Sequence, residues 1–150
     1  MKKIYYLLLT LVITSFSFGQ ELMLNGDFEL WDDTTTPTSY SKAESTLQET
    51  VEFHGGANSA RHSGGTSDIA QTVNGIIPGE TYTISFWYKF EVAGNARMWS
   101  TWKAGATNLS DNADVLHPSS YLDNTGTTWA EYTHTLTAPA TADSFYFEVR

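Results

Sequence analysis

The 150-residue chain has no cysteine, which excludes disulfides, zinc–thiolate sites and cysteine nucleophiles. Positive charge is scarce too: eight Lys and Arg stand against seventeen Asp and Glu, for a net charge of −9. Gripping a nucleic-acid backbone takes clustered Lys and Arg, so no nucleic-acid partner is expected. An acidic balance keeps a protein soluble without naming a partner. Long apolar runs are missing as well. The longest, Ile4 to Ile13, covers about ten residues and is interrupted by tyrosine hydroxyls and Thr10, whereas a membrane-spanning helix needs about twenty.

That short run belongs to a recognisable order. Lys2 and Lys3 precede it, and Ser17 and Gly19 put small side chains at the third and first positions before a cut after Gly19. Basic start, apolar core and small-residue end make a secretory signal peptide. Residues 1–19 are therefore expected to be removed, giving a secreted or cell-surface protein with no membrane insertion after cleavage. The absence of cysteine suits a bacterial export route. Residues 20–150 then form one domain, large enough to hold itself by its core. Its net charge is −11 once Lys2 and Lys3 are gone.

The mature region is rich in Thr, Tyr, Phe and Trp, which suit pleated, half-buried surfaces. No stretch after residue 20 sustains a helical apolar period. Extended runs are expected near 21–24, 40–44, 47–53, 58–62, 67–74, 80–91, 96–103, 129–137 and 144–150, punctuated by Gly, Asn, Asp and Pro. Many short strands of this kind predict an all-β fold, a two-sheet antiparallel β-sandwich of the jelly-roll type. The clearest strand is Thr81 to Phe90, with Tyr82, Ile84, Phe86, Tyr88 and Phe90 on one face and Thr81, Thr83, Ser85, Trp87 and Lys89 on the other. Pro78-Gly79 supplies a turn before it, and Pro139 closes another strand after Leu136. Residues 104–128 carry no strand signal: either a functional loop or a weak strand pair.

Trp87 is the odd member of a polar face, because a tryptophan usually hides a large apolar area. Either a loop or the other terminus covers it, or it is a stacking platform for a ligand ring. Trp99 and Trp102, three residues apart, point to opposite faces of a strand. A Gly94-Asn95 hairpin turn would set Trp87 opposite Trp102 and Phe90 opposite Trp99, while a one-residue slip would exchange Trp102 for Trp99. An indole beside amide, hydroxyl and charged groups suits a sugar, whose ring has an apolar face and a polar rim. Candidate carbohydrate-binding residues are thus Trp87, Trp102, Lys89, Gln71, Arg97 and Tyr121.

Signals for catalysis are weak. His54, His62, His117 and His134 have no zinc spacing, and there is no G-x-S-x-G elbow. Glu29, Asp111, Asp114 and Asp123 could supply a glycosidase pair only as any acidic domain could. Asp111-Asn112-Ala113-Asp114 lacks the Gly and distal Glu of an EF-hand.

Three runs in order carry a resemblance: Asn25-Gly26-Asp27-Phe28-Glu29, Pro78-Gly79-Glu80-Thr81-Tyr82-Thr83-Ile84-Ser85-Phe86, and Trp129-Ala130-Glu131-Tyr132-Thr133, with Gly56-Ala57-Asn58-Ser59 between the first two. Together they resemble the CenC-type carbohydrate-binding modules of the galactose-binding-like jelly rolls. The resemblance implies a polysaccharide or glycan partner, bound on a concave sheet face or at loop ends. It implies a non-catalytic role, targeting a larger secreted enzyme to its substrate. It also implies a structural calcium held by Glu29, with Asp27 as a neighbour; the family's closing Asp is missing, and the chain is expected to lack the last family strand. The competing expectations are a structural or protein-adhesion β-sandwich module of a cell-surface protein, or an accessory module of a secreted hydrolase or nuclease whose catalytic part is not in this chain.

Overall fold

The structure, a computed structural model, describes residues 20–65, 67–90 and 96–150. The expected leader at 1–19 and the expected Gly94-Asn95 turn lie outside the described residues. In chain order the elements are β1 (Trp31–Asp33), β2 (Thr36–Pro37), β3 (Lys42–Ala43), β4 (Thr46–Glu49), β5 (Ser59–His62), β6 (Ile69–Asn74), β7 (Thr81–Tyr88), β8 (Thr101–Ala104), β9 (Thr107–Asn108), the one-turn helix α1 (Ala113–Leu116), β10 (Ala130–Thr137) and β11 (Ser144–Val149).

Two antiparallel layers carry the core. One is a five-stranded sheet in the order β3-β6-β11-β8-β9, and the other pairs β10 with β7 along eight residues. The non-consecutive order requires the chain to cross between layers, as a jelly roll does. Val73, Met98, Trp102, Phe145 and Phe147 face inward from the larger sheet, and Tyr82, Ile84, Phe86, Tyr132 and Leu136 meet them from β7 and β10. Phe86 and Phe147 join the layers edge to face with ring centroids 5.9 Å apart, and Tyr82 lies 6.1 Å from Trp102. Each large side chain buried here stabilises the fold by roughly 1.5–3 kcal/mol, and this core does the work that disulfides do in smaller secreted domains.

The alternation read in 81–90 is observed over 81–88: Tyr82, Ile84, Phe86 and Tyr88 are half-buried, and Thr81, Thr83, Ser85 and Trp87 are exposed. The strand ends there, and Lys89 and Phe90 are both half-buried. The turn before β7 is built as expected. Glu80 N–H donates to Ile77 O at 3.2 Å, with Gly79 at φ 81° where a side chain would be strained.

The expected pairing of β7 with the 96–103 strand is corrected. β7 pairs with β10, placing Glu131 opposite Trp87, while β8 pairs with β11 and β9, placing Phe145 opposite Trp102. Residues 21–24 are not a ladder strand. They are held through Gln71, whose side-chain amide accepts from Leu24 N–H and donates to Leu24 O, both at 2.8 Å. The 104–128 stretch does contain a weak strand, β9, returning on β8 across Gly105 at φ 56°, followed by α1.

Candidate binding surface

The segment leading into β8 keeps one register with β11. Arg97 exchanges both backbone hydrogen bonds with Arg150 (2.8 and 3.0 Å), Met98 bridges Val149, and Thr101, Trp102 and Lys103 pair with Tyr146, Phe145 and Ser144. With Met98, Ser100 and Trp102 buried, strand alternation sends Arg97, Trp99, Thr101 and Lys103 to the outward face of the five-stranded sheet. Tyr146, Glu148, Thr72 and Lys42 share that face across the neighbouring strands.

A charged network crosses it. Lys42 binds the Asp68 carboxylate, and Arg150 binds Asp68 at 3.2 Å and Glu148 at 2.8 Å. Burial works to raise the Asp68 carboxyl, but the Lys42 hydrogen bond and the charges of Arg150 and Lys42 outweigh it and hold the group below the usual carboxylate range.

At one corner of the face the aromatic side chains gather around Trp99. The guanidinium carbons of Arg97 and Arg150 lie 4.3 and 4.6 Å from its ring centroid, and His117 lies 4.7 Å away. Arg97 also lies 5.3 Å from the Tyr121 ring, which is 51% exposed. Nε of Arg97 is buried without a hydrogen-bond partner. Tyr121 in turn lines a shallow groove of about 190 Å³ against Tyr132 and His134 of β10. At the far end of the row, the Lys103 ammonium sits 5.6 Å from the Tyr146 ring.

A second aromatic group lies on the outward face of β7 and β10. Trp87 is 45% exposed, and the His54 imidazole stacks on it at 3.9 Å and 10°. Trp129 meets His54 edge-on at 5.8 Å. Lys89 pairs with Glu52 and lies 5.6 Å from the Trp129 ring. A loop therefore does reach Trp87, and much of the side chain still meets solvent. Beside it runs a hydroxyl-rich strip in which Ser85 donates to Glu131 at 2.6 Å and Thr83 meets Thr135 at 3.1 Å.

Of the six candidates, the structure brings together Arg97 with Tyr121, and Trp87 with Lys89. Two are corrected. Trp102 is 1% exposed, packed at 4.7 Å on Phe145, with its indole N–H donating to Asn112 Oδ1 at 3.0 Å. Gln71 is buried and both polar ends of its amide are taken by Leu24. Neither shares a face with Trp87. Trp99 enters the sequence reading only as the alternative to Trp102, and His117, Lys103, Tyr146 and Arg150 are not among its candidates, although stepping by twos from Arg97 reaches Trp99 and Lys103.

Glu29 has a defined task of its own. Oε1 accepts the N–H groups of Ala57 (2.7 Å) and Asn58 (3.1 Å), and Oε2 accepts Asn58 Nδ2 at 3.0 Å. The Ala57 and Asn58 N–H donors hold its carboxyl below the usual range. A calcium ion takes about six to eight oxygen ligands. Here N–H donors face both Glu29 oxygens, Asp27 Oδ1 accepts from Glu29 N–H at 3.4 Å, and among the described residues no three His, Asp or Glu side chains gather as a metal group. These residues do not fit the calcium cage that the resemblance implied. Glu29 instead fastens the 57–58 turn, whose preceding residues lay Glu52 and His54 over β7.

No curated protein matches the chain. A solved structure titled "Family 16 Carbohydrate Binding Module-2" is 16% identical, with a TM-score of 0.46 over 71% of this chain and 86% of that one. The family described as "Carbohydrate binding domain", CBM_4_9, matches residues 20–150, and the chain belongs to this family of carbohydrate-binding domains.

Proposed function

We propose that the protein is an exported, non-catalytic module that binds a polysaccharide along the outward face of the five-stranded sheet, and so holds a larger extracellular protein on its substrate. Family membership over residues 20–150 supports the ligand class. The observation that carries the placement is the outward row Arg97, Trp99, Thr101 and Lys103, flanked by the rings of Tyr121 and Tyr146. Rings pack on the apolar face of a pyranose, and the charged groups of the row can meet its rim; the Thr101 hydroxyl is buried and donates to Leu109 O at 3.1 Å. A second placement, on the other layer, is favoured by the 45% exposure of Trp87 beside the hydroxyl strip of β7 and β10.

The test is a screen of the purified chain against soluble and insoluble polysaccharides, with and without calcium, alongside Tyr121→Ala, Tyr146→Ala and Trp87→Ala. Binding that weakens at least ~10-fold in the tyrosine variants, about 1.4 kcal/mol, and survives Trp87→Ala is the expected result. Loss confined to Trp87→Ala moves the site to the other layer. Retention on no polysaccharide by a folded protein removes the binding reading and leaves a structural or adhesion module.

A further inference from the structure

We infer that the polysaccharide is anionic, bearing uronate carboxylates or sulfate esters that Arg97 and Lys103 recognise; this rests on the glycan-binding reading above. Beyond Lys3 the chain holds six Lys and Arg residues. Four are in ion pairs: Lys42 with Asp68, Arg61 with Glu49 at 3.6 Å, Lys89 with Glu52, and Arg150 with Asp68 and Glu148. Arg97 and Lys103 have no ion pair or side-chain hydrogen bond among the described residues; the contacts of their cationic groups are with aromatic rings. In a chain with seventeen carboxylates, two cations left unpaired are not short of partners in general. Among the described residues neither has a carboxylate within ion-pair distance.

Their placement is also shared. Both stand on the same outward row, six residues apart, so about 20 Å separates them along an extended strand. Both are supported by rings, Arg97 by Trp99 and Tyr121 and Lys103 by Tyr146, which restricts their rotamers before a ligand arrives. With Nε of Arg97 buried, the guanidinium offers its Nη donors, and these match the two oxygens of a carboxylate or sulfate. A neutral sugar laid over the row would strip water from two cations and return no opposite charge. An anionic sugar removes that penalty. The net charge of −9 repels a polyanion from the rest of the surface, which makes a positive local site necessary for such a ligand.

The experiment is affinity electrophoresis and calorimetry of the purified chain with polygalacturonate, a sulfated galactan, and neutral xylan, β-glucan and mannan. Variants are Arg97→Gln, Lys103→Gln and, as a control removing one charge elsewhere, Arg61→Gln, each checked by thermal melting. The expected result is binding to polygalacturonate or to the sulfated galactan, whichever is bound naming the anion. It falls at least ~10-fold in Arg97→Gln, less in Lys103→Gln, and is unchanged in Arg61→Gln. Should Arg97→Gln lose its fold, Lys103→Gln still carries the test. Binding to a neutral polymer that ignores both substitutions overturns the anionic inference while leaving the glycan-binding reading intact. Retention on none of the five polymers sinks both.

Discussion

Around Trp87 and around Trp99 the fold assembles the same kinds of side chain: an indole, a histidine, a second aromatic ring and a cation. Near Trp87 the cation, Lys89, is matched by Glu52, and the indole face is matched by His54. Near Trp99 the cation Arg150 is matched by Asp68 and Glu148, but Arg97 meets rings and, among the described residues, no carboxylate. The difference originates in the loops. The 52–58 segment reaches over β7 because Glu29 fastens its end through two backbone N–H groups, so the first corner is closed from within. The 111–123 segment brings His117 and Tyr121 to the second corner but pairs none of its acids, Asp111, Asp114 or Asp123, with a cation among the described residues. Similar composition thus gives a finished contact in one place and an unmet charge in the other.

The largest expected effect separates the tryptophans that the sequence places three residues apart. Trp102→Ala removes a core ring and strands Asn112 Oδ1, and should cost about 3–5 kcal/mol in denaturant unfolding. Trp99→Ala, on the outward row, should cost distinctly less. Equal losses would mean that both indoles are core, and the open corner would lose its meaning.

Next in size is Gly56→Ala. Gly56 has φ +71°, and an added Cβ would overlap the Glu29 carboxylate, approaching Cδ to 2.8 Å. A side chain in such a conformation costs of order 1–3 kcal/mol, before the overlap is counted. The prediction is a lower melting temperature with a red-shifted indole emission as His54 leaves Trp87, while polysaccharide binding at the Trp99 corner persists. An unaltered melt and spectrum would show that Glu29 does not hold the closed corner together.

How far this contrast could be read in advance follows from the range of the signals involved. The period of two in 81–90 reports which face of β7 meets the core, since that is a local property of one strand. Its partner is not local. Hairpin logic pointed to residues 96–103, yet β10, over forty residues on, fills the position. The same limit governed the tryptophans: alternation separates Trp99 from Trp102, but only the register with β11 decides which of them faces in. The elements missed, β1, β2 and α1, and β9, read only as one of two alternatives, are two to four residues long, too short for any period to show. Of the proposed binding row, Arg97 and Tyr121 were legible as polar and aromatic groups near a strand. That Arg97 would be unpaired was not, because pairing depends on where every carboxylate ends up.

The smallest expected effect compares what restrains two carboxylates, Glu29 and Asp68. Glu29 and Asp68 both titrate below the ordinary range in the folded protein. A depressed folded pKa gives stability that is present above the unfolded value, near pH 4, and is lost as the pH falls through the folded one. The causes differ. Glu29 is held by backbone N–H donors, with no cation needed; Asp68 is held by Lys42 and Arg150 against its own burial. Raising salt from ~0.1 to ~1 M shortens the Debye length from about 10 to about 3 Å, which weakens charge–charge terms and leaves contact hydrogen bonds nearly unchanged. Carboxyl-carbon NMR titrations at the two salt levels should therefore move Asp68 upward and leave Glu29 in place. Equal movement of both would mean that Glu29 also relies on a cation's field, and the closed corner would then be electrostatic rather than fastened by the backbone.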